Sequence, residues 1–502
     1  MALAVLIAVL AAVAAGPSTK SRAAGTCTDP DGYLFQYSSG PTQVDQIDMV
    51  TGQQQANIAE IFGREVNAVG YNPLDNKFYG WDNQNNEFVS ITDDFLTTTP
   101  LTISGYTGPT NLIIGDVDDQ GHYWELSGNT WYEIDVSTGT PTQLATGTPA
   151  SNPTGSAGAD WAFVPGTGKL WRTMDSGSDV GLWSFDTTAH TWTHVANVTN
   201  MTAGGDRTIG ANYADPYNHL FAGSNGTGDL WEIDLTGLPD NPASPVDINA
   251  VLVGTGNPSG TNDGARCSLA PIPTDFGDAP DSYHTSLANN GPRHNVENYN
   301  TATHTAPLML GNTVDIEPDG YPGTTAKGDD THEIDDEDGV KSDSITIGGK
   351  TPTSAVIPVT VTNNSSNTAT LAGWIDSNNN GIFDSGERAT LTVPANSGTK
   401  QYTLTFPAAH YTADTYLRIR VFDGSLSDPQ PTGPWTGGEV EDYFIHVDPA
   451  LSGTFIGGVS VGAPDTGFGA DRHNIAQTLV VYGLSSVILG GMAFGIRRLA
   501  RR

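Results

Sequence analysis

Basic side chains and cysteines are scarce in this 502-residue chain. Lys and Arg number 21 against 56 Asp and Glu, for a net charge of −35. An acidic surface of this kind excludes nucleic-acid phosphates as partners and suits divalent cations. Long amphipathic helical patterns are absent, while Gly, Pro, Asn, Asp, Thr and Ser are abundant. This balance predicts an all-β chain with many turns, long enough for two or three domains. The only cysteines, Cys27 and Cys267, have no Cys or His beside them at zinc spacing. They read as a disulfide pair in an oxidising compartment. No Gly-x-Ser-x-Gly elbow, His-Glu-x-x-His pair or phosphate loop occurs, so no catalytic residue is assigned. His122, His190, His194 and His219 are scattered on or beside strands and read as strand or turn residues.

Residues 26–272 repeat one pattern, an apolar or aromatic strand ending in Ile/Phe-Asp before a Thr-Gly-like turn. It occurs at Gln46-Ile-Asp-Met-Val-Thr-Gly52, Tyr132-Glu-Ile-Asp-Val-Ser-Thr-Gly139, Trp183-Ser-Phe-Asp-Thr-Thr188 and Trp231-Glu-Ile-Asp-Leu-Thr-Gly237. Phe88-Val-Ser-Ile-Thr-Asp93 is a weaker copy. About 42 to 51 residues separate successive copies, the length of a four-stranded blade. Partner strands with period-2 alternation lie between them, at Lys77–Trp81, His122–Leu126, Lys169–Thr173 and His219–Gly223. The pattern predicts a β-propeller with five visible copies, a number that degenerate copies would raise to six or seven. Tryptophans recurring at the blade period read as inter-blade core rather than as a ligand platform. Ring closure would make Cys27 and Cys267 neighbours, consistent with a disulfide clamp. The layout resembles the uncharacterised propeller domain that precedes acidic domains in many bacterial surface proteins.

Residues 273–448 carry the acid. In Asp376-Ser-Asn-Asn-Asn-Gly-Ile-Phe-Asp-Ser-Gly-Glu387, Asp376, Asn378, Asn380, the Ile382 carbonyl, Asp384 and Glu387 have the spacing of a calcium loop, with Gly381 at the sharp turn. Expected strands at 368–375 and 388–393 flank it. A rigid clasp between strands follows, without the helix-pair opening of a sensor. Further expected strands at 354–362, 400–406, 415–422 and 440–447 make a β-sandwich. Apolar–polar alternation is clear in Tyr416-Leu-Arg-Ile-Arg-Val421. The acid-rich stretch 317–338 suggests a second calcium site drawing on Asp329, Asp330, Asp335, Asp336, Glu337 and Asp338.

Five blocks in order carry a family resemblance: Asp275-Phe-Gly-Asp-Ala-Pro-Asp-Ser-Tyr283, Gly291-Pro-Arg-His294, Asp329-Asp330 through Asp335-Asp-Glu-Asp-Gly339, Gly373-Trp-Ile-Asp376, and Glu439-Val-Glu-Asp-Tyr443. Residues 275–448 resemble the GEVED domain of bacterial secreted and surface proteins. The resemblance implies an adhesive or structural module often attributed to calcium, with no established enzyme activity. Glu439, Glu441 and Asp442 either add oxygens to a cation site or place charge on an edge strand, where it blocks edge-to-edge pairing.

The ends complete the expectation. Residues 1–25, with an unbroken apolar run from Ala2 to Ala15, resemble a secretory signal. Residues 449–477 form a linker containing Ala463-Pro-Asp-Thr-Gly467. Residues 478–496, uncharged and about 28 Å long as a helix, match a transmembrane span. The Arg-rich residues 497–502 would stay cytoplasmic. This order resembles a sortase sorting signal, which implies cleavage between Thr466 and Gly467 and attachment to peptidoglycan; the family's usual leading Leu is Ala463 here. The chain as a whole is expected to be a calcium-stabilised, non-enzymatic structural or adhesion protein, extracellular and anchored to the cell wall or membrane. The alternatives are a propeller that binds an extracellular glycan or protein ligand, and a propeller hydrolase or lyase.

Overall fold

Aspartates set the local structure of the repeat. In each of the four clear copies the Asp that ends the strand accepts the backbone N–H two residues on. Asp48 takes Val50 at 2.9 Å, Asp135 takes Ser137 at 2.9 Å, Asp186 takes Thr188 at 2.9 Å, and Asp234 takes Thr236 at 2.7 Å. The Asp side chain thus adds a bond to the turn beside its backbone bonds, such as Gly52 N–H to Asp48 O at 2.8 Å and His190 N–H to Asp186 O at 2.8 Å, which explains why Asp recurs at that position.

The computed structural model describes residues 27–37, 40–153, 160–177, 179–201, 207–328, 334–342 and 344–461, and those up to Ser460 belong to one compact unit. The repeat folds into small antiparallel sheets. The second comprises Val66–Asn72, Lys77–Asp82, Glu87–Thr92 and Thr98–Leu101, and the third Gly115–Val117, His122–Ser127, Thr130–Asp135 and Thr142–Gly147. The fourth comprises Ala162–Val164, Lys169–Asp175, Val180–Asp186 and Thr191–Val198, with Val246–Ile248 added in parallel. Ile209–Ala214, His219–Ser224, Asp229–Asp234 and Val251–Thr255 make the fifth. The first sheet joins both ends of the repeat: Asn262–Ala265 pairs with Gly32–Gln36, followed by Thr42–Ile47 and Gln54–Ile61.

The leading strands of these sheets touch in a closed cycle. Val66–Asn72 meets Gly115–Val117, which meets Ala162–Val164, then Ile209–Ala214, then Asn262–Ala265, which returns to Val66–Asn72. Where the first two cross, Gly70 leaves no room for a Cβ against the backbone of Val117. Acid side chains pin this cycle. Asp116 Oδ2 accepts the Phe163 N–H at 2.6 Å, Asp160 Oδ2 accepts the Asn212 N–H at 2.7 Å, and Asp263 accepts the Val69 N–H. Each bond ties one sheet to the next. Burial raises the pKa of all three, that of Asp116 to about 8.

Aromatic layers fill the spaces between sheets. Tyr79, Trp81 and Phe88 of the second sheet pack on Tyr123 of the third. Trp124 and Trp131 of the third pack with Trp161, Phe185 and Trp192 of the fourth. The tryptophans are thus inter-sheet core, as their spacing implied. Cys27 and Cys267, just outside the paired strands Gly32–Gln36 and Asn262–Ala265, form a disulfide with Cα atoms 5.7 Å apart. The whole region is propeller-like.

The C-terminal module is also all-β and curls around two facing sheets. Its large sheet runs Arg388–Val393, Ala369–Ile375, Thr415–Asp423, Gly438–Asp448, Ile345–Gly348, Thr454–Ile456 and Val459–Val461. A smaller sheet holds Leu308–Leu310, Thr353–Asn363 and Gly398–Ala409. A third, made of Thr274–Phe276, Arg293–Asn295 and Pro434–Thr436, starts directly after the propeller-like region. Thr436 Oγ1 donates to Asp48 Oδ2 at 2.7 Å, joining this sheet to the first sheet of the repeat.

Among the described residues no helix is long and apolar enough to cross a membrane. The expected leader at 1–25, the motif at Thr466–Gly467, the span at 478–496 and the Arg tail at 497–502 lie outside the described residues.

Candidate cation sites in the acidic module

The twelve-residue loop joins Ala369–Ile375 to Arg388–Val393, two antiparallel neighbours. Asp376 is fully buried. Its Oδ2 accepts the Gly381 N–H at 2.9 Å and the Tyr283 hydroxyl at 2.8 Å, and its Oδ1 accepts the Asn380 N–H at 3.2 Å. Gly381 has φ 84°, the left-handed turn that glycine tolerates without a Cβ penalty. Glu387 reaches back across the loop, accepting the N–H of Ser377 at 2.8 Å and that of Asp384 at 3.0 Å. Both Asn378 and Asn380 donate their amide nitrogens to Asp384 Oδ2, at 3.0 and 2.9 Å. Ile382 is 40% exposed, and its carbonyl is the group that the loop spacing assigns to a cation. The loop's side chains thus bond to one another and to its backbone, with Asn378 and Asn380 turning nitrogen toward Asp384, and its three carboxylates do not form a group of oxygens within 4.8 Å of one another.

A second acid cluster is built from distant segments. Asp275, Asp315 and Asp336 are each at most 4% exposed and bring one oxygen apiece within 4.8 Å of one another. Asp275 lies on Thr274–Phe276, and its Oδ2 accepts the Val440 N–H at 2.7 Å. The Asp315 N–H donates to Asp336 Oδ2 at 2.9 Å. Of the acids expected to form a second site, only Asp336 joins this group. Asp338 instead accepts the Asn312 N–H at 2.8 Å, Asp335 is exposed, and Asp329 and Asp330 lie outside the described residues. Glu337 is half-buried. Asp315 carries no motif; its only mark in the sequence is its place between apolar Val314 and Ile316.

The strand Gly438–Asp448 lies between Thr415–Asp423 and Ile345–Gly348, so its acids do not guard an edge. Its alternation separates them. Glu439 and Glu441 stand opposite Val421 and Ile419, on one face, and Asp442 stands opposite Arg418, on the other. Glu441 Oε1 accepts the Gly339 N–H at 2.8 Å, and burial pushes its pKa up to about 8. Glu439 accepts the Leu310 N–H through Oε2, while its buried Oε1 has no hydrogen-bond partner. Burial, then the charges of Glu441, Asp275 and Asp336, push its pKa well up.

Asp442 does different work. Arg418 donates to it twice, from Nε and Nη2, both at 2.8 Å, and both side chains are fully buried. Arg420, equally buried, donates to His294 Nε2 at 2.9 Å and lies 4.6 Å over the Phe422 ring. The alternation of Tyr416–Val421 does not place these arginines in water. The segments 281–295 and 430–434 cover that face, and their carbonyls take the guanidinium protons.

Residues 33–269 match the family described as a repeat of unknown function, DUF6923, and residues 370–446 match the GEVED domain. No curated protein matches the chain. Among solved structures it is similar to a chain of a nidogen/laminin complex (12% identity, 47% of this chain and 81% of that one, TM-score 0.30). It is also similar to virginiamycin B lyase from Staphylococcus aureus (14% identity, 43% and 72% covered, TM-score 0.25) and to the Dos1 propeller (12% identity, 42% and 61% covered, TM-score 0.25). No functional argument rests on likenesses at these scores. The chain carries a DUF6923 repeat region, folded as propeller-like sheets, followed by a GEVED domain.

Proposed function

We propose that this chain is a non-enzymatic structural or adhesion protein of the cell surface, stiffened by calcium. On this reading the repeat is a five-bladed β-propeller closed by the Asn262–Ala265 strand, and the GEVED module stands between it and an envelope anchor formed by the C-terminal segment. Calcium binds in the loop of Asp376, Asn378, Asn380, Ile382, Asp384 and Glu387.

The observation that supports this best is the position of Asp376. It is buried at the end of a central strand, and Tyr283, 93 residues away, donates to it. A cation on Asp376 and Glu387 would therefore fix the hairpin and the covering segment together. Its role is mechanical, since ligand bound only to the folded state adds to stability by mass action. With Asn378 and Asn380 in place of carboxylates, an affinity of about 10⁻⁴–10⁻³ M is expected, as for extracellular modules.

Calorimetry of the full chain with millimolar calcium or with excess EGTA tests this. The transition of the GEVED module should fall in EGTA, and Asp376→Ala with Glu387→Ala should abolish most of that calcium response. A double variant with an undiminished response would refute the loop assignment.

A further inference from the structure

The geometry points to a second calcium site, formed by Asp275, Asp315 and Asp336 with Glu439, that fastens the first strand of the GEVED module to its central sheet. It is separate from the 376–387 loop and does not depend on it.

Two independent features carry the inference. The first is the convergence of three buried carboxylates, one oxygen from each within 4.8 Å of the others. Calcium–oxygen bonds are about 2.3–2.6 Å, so two ligands of one ion can stand up to about 5 Å apart. The oxygens therefore already fit one calcium shell. An all-oxygen donor set also disfavours zinc and copper. The second feature is Glu439. Its side chain is fully buried, Oε2 is held by the Leu310 N–H, and Oε1 has no hydrogen-bond partner. Asp275 accepts the N–H of Val440, the residue next to Glu439, which places Glu439 beside the cluster. A buried carboxylate oxygen without a donor costs free energy that a cation would recover.

The parts come from four places in the chain. Asp275 belongs to the segment leaving the propeller-like region, eight residues after the disulfide at Cys267. Asp315 and Asp336 come from the irregular segment, and Glu439 from the middle of the large sheet. One ion would tie all four together. Three acidic blocks of the sequence, widely separated along the chain, thus meet at a single point, joined by the unheralded Asp315.

The test uses the full chain carrying Asp376→Ala and Glu387→Ala, so that loop binding does not contribute. After equilibration in calcium and gel filtration, metal analysis should find one calcium per chain, and calcium should still raise the melting temperature of the module. Adding Asp315→Asn and Asp336→Asn should weaken that binding at least 100-fold. The proposal is overturned if the loop variant holds no calcium and melts alike in calcium and EGTA, or if the added substitutions leave its calcium content unchanged. Should the quadruple variant fail to fold, the calcium-dependent melt of the loop variant decides alone. Failure here with an intact calcium response in wild type would leave the loop reading standing.

Discussion

The two regions bury aspartate in opposite ways. In the propeller-like region Asp116, Asp160 and Asp263 sit one per sheet, and each meets a backbone N–H of the following sheet. In the GEVED module Asp275, Asp315 and Asp336 converge on one another. In the first, a backbone N–H of the neighbouring sheet meets each acid, and Asp160 and Asp263 also meet one another. The second brings three acids onto one another, each also held by a backbone N–H. On the proposed reading a cation balances the charge that gathers there. Reagents that remove cations should spare the first and loosen the second.

The disulfide gives the largest expected break in that comparison. Cys27 and Cys267 close a loop of 240 residues. By chain entropy such a link contributes about 5–6 kcal/mol to the region it closes. Cys27→Ser with Cys267→Ser should lower the propeller transition in calorimetry with EGTA or calcium alike. A loss confined to the GEVED transition would reverse the assignment of what holds each region.

Next in size is the buried pair Arg418–Asp442. Asp442→Ala leaves a guanidinium uncompensated in the core, a change that costs about 3–5 kcal/mol. Segment-resolved hydrogen exchange should show the loss in 277–295 and 415–445, with the propeller strands unchanged. Equal loosening of Val66–Asn72 and its neighbours would show that the two regions unfold as one.

Legibility in the sequence followed the distance between partners. The Asx aspartates and their strands could be read because each bond spans two residues. The hydrogen-bonded loop 376–387 could be located because its acids and their backbone donors share twelve consecutive positions. The inner acids of the propeller could not, since the Asp263 bond to Val69 spans 194 residues and no local period marks it. Likewise Asp315 meets Asp275 only after the chain has folded. Arg418 and Arg420 could not be placed from the sequence for a different reason. Alternation shows which face a side chain takes but not whether another segment covers that face, and here Tyr283, Thr285 and Pro431 do.

The smallest effect sharpens the comparison most, because it concerns protons. Burial raises Asp116 and Glu125 to about 8, and Asp160 and Asp263 rise as well. For His219 burial opposes the charge, but Glu232 and Asp215 outweigh it and hold the pKa up to about 9. An aspartate in the unfolded chain titrates near ~4. The folded propeller-like region thus keeps protons that the unfolded chain has released. For the carboxylates the stabilising contribution is complete below about pH 4 and is lost as pH rises through about 8; for His219 it is complete below about 6.5 and lost through about 9. In EGTA the propeller transition should fall steadily from pH 5 to pH 9. Asp116→Asn removes one of these protons from the balance. It also turns an amide toward either Phe163 or Val117, whose N–H groups the carboxylate now accepts. The variant should be about 1–2 kcal/mol less stable at pH 5 and should lose less on the way to pH 9, so that the two profiles converge. Parallel profiles would mean that Asp116 is ionised in the fold, and its hydrogen bonds to the next sheet would then outweigh its burial.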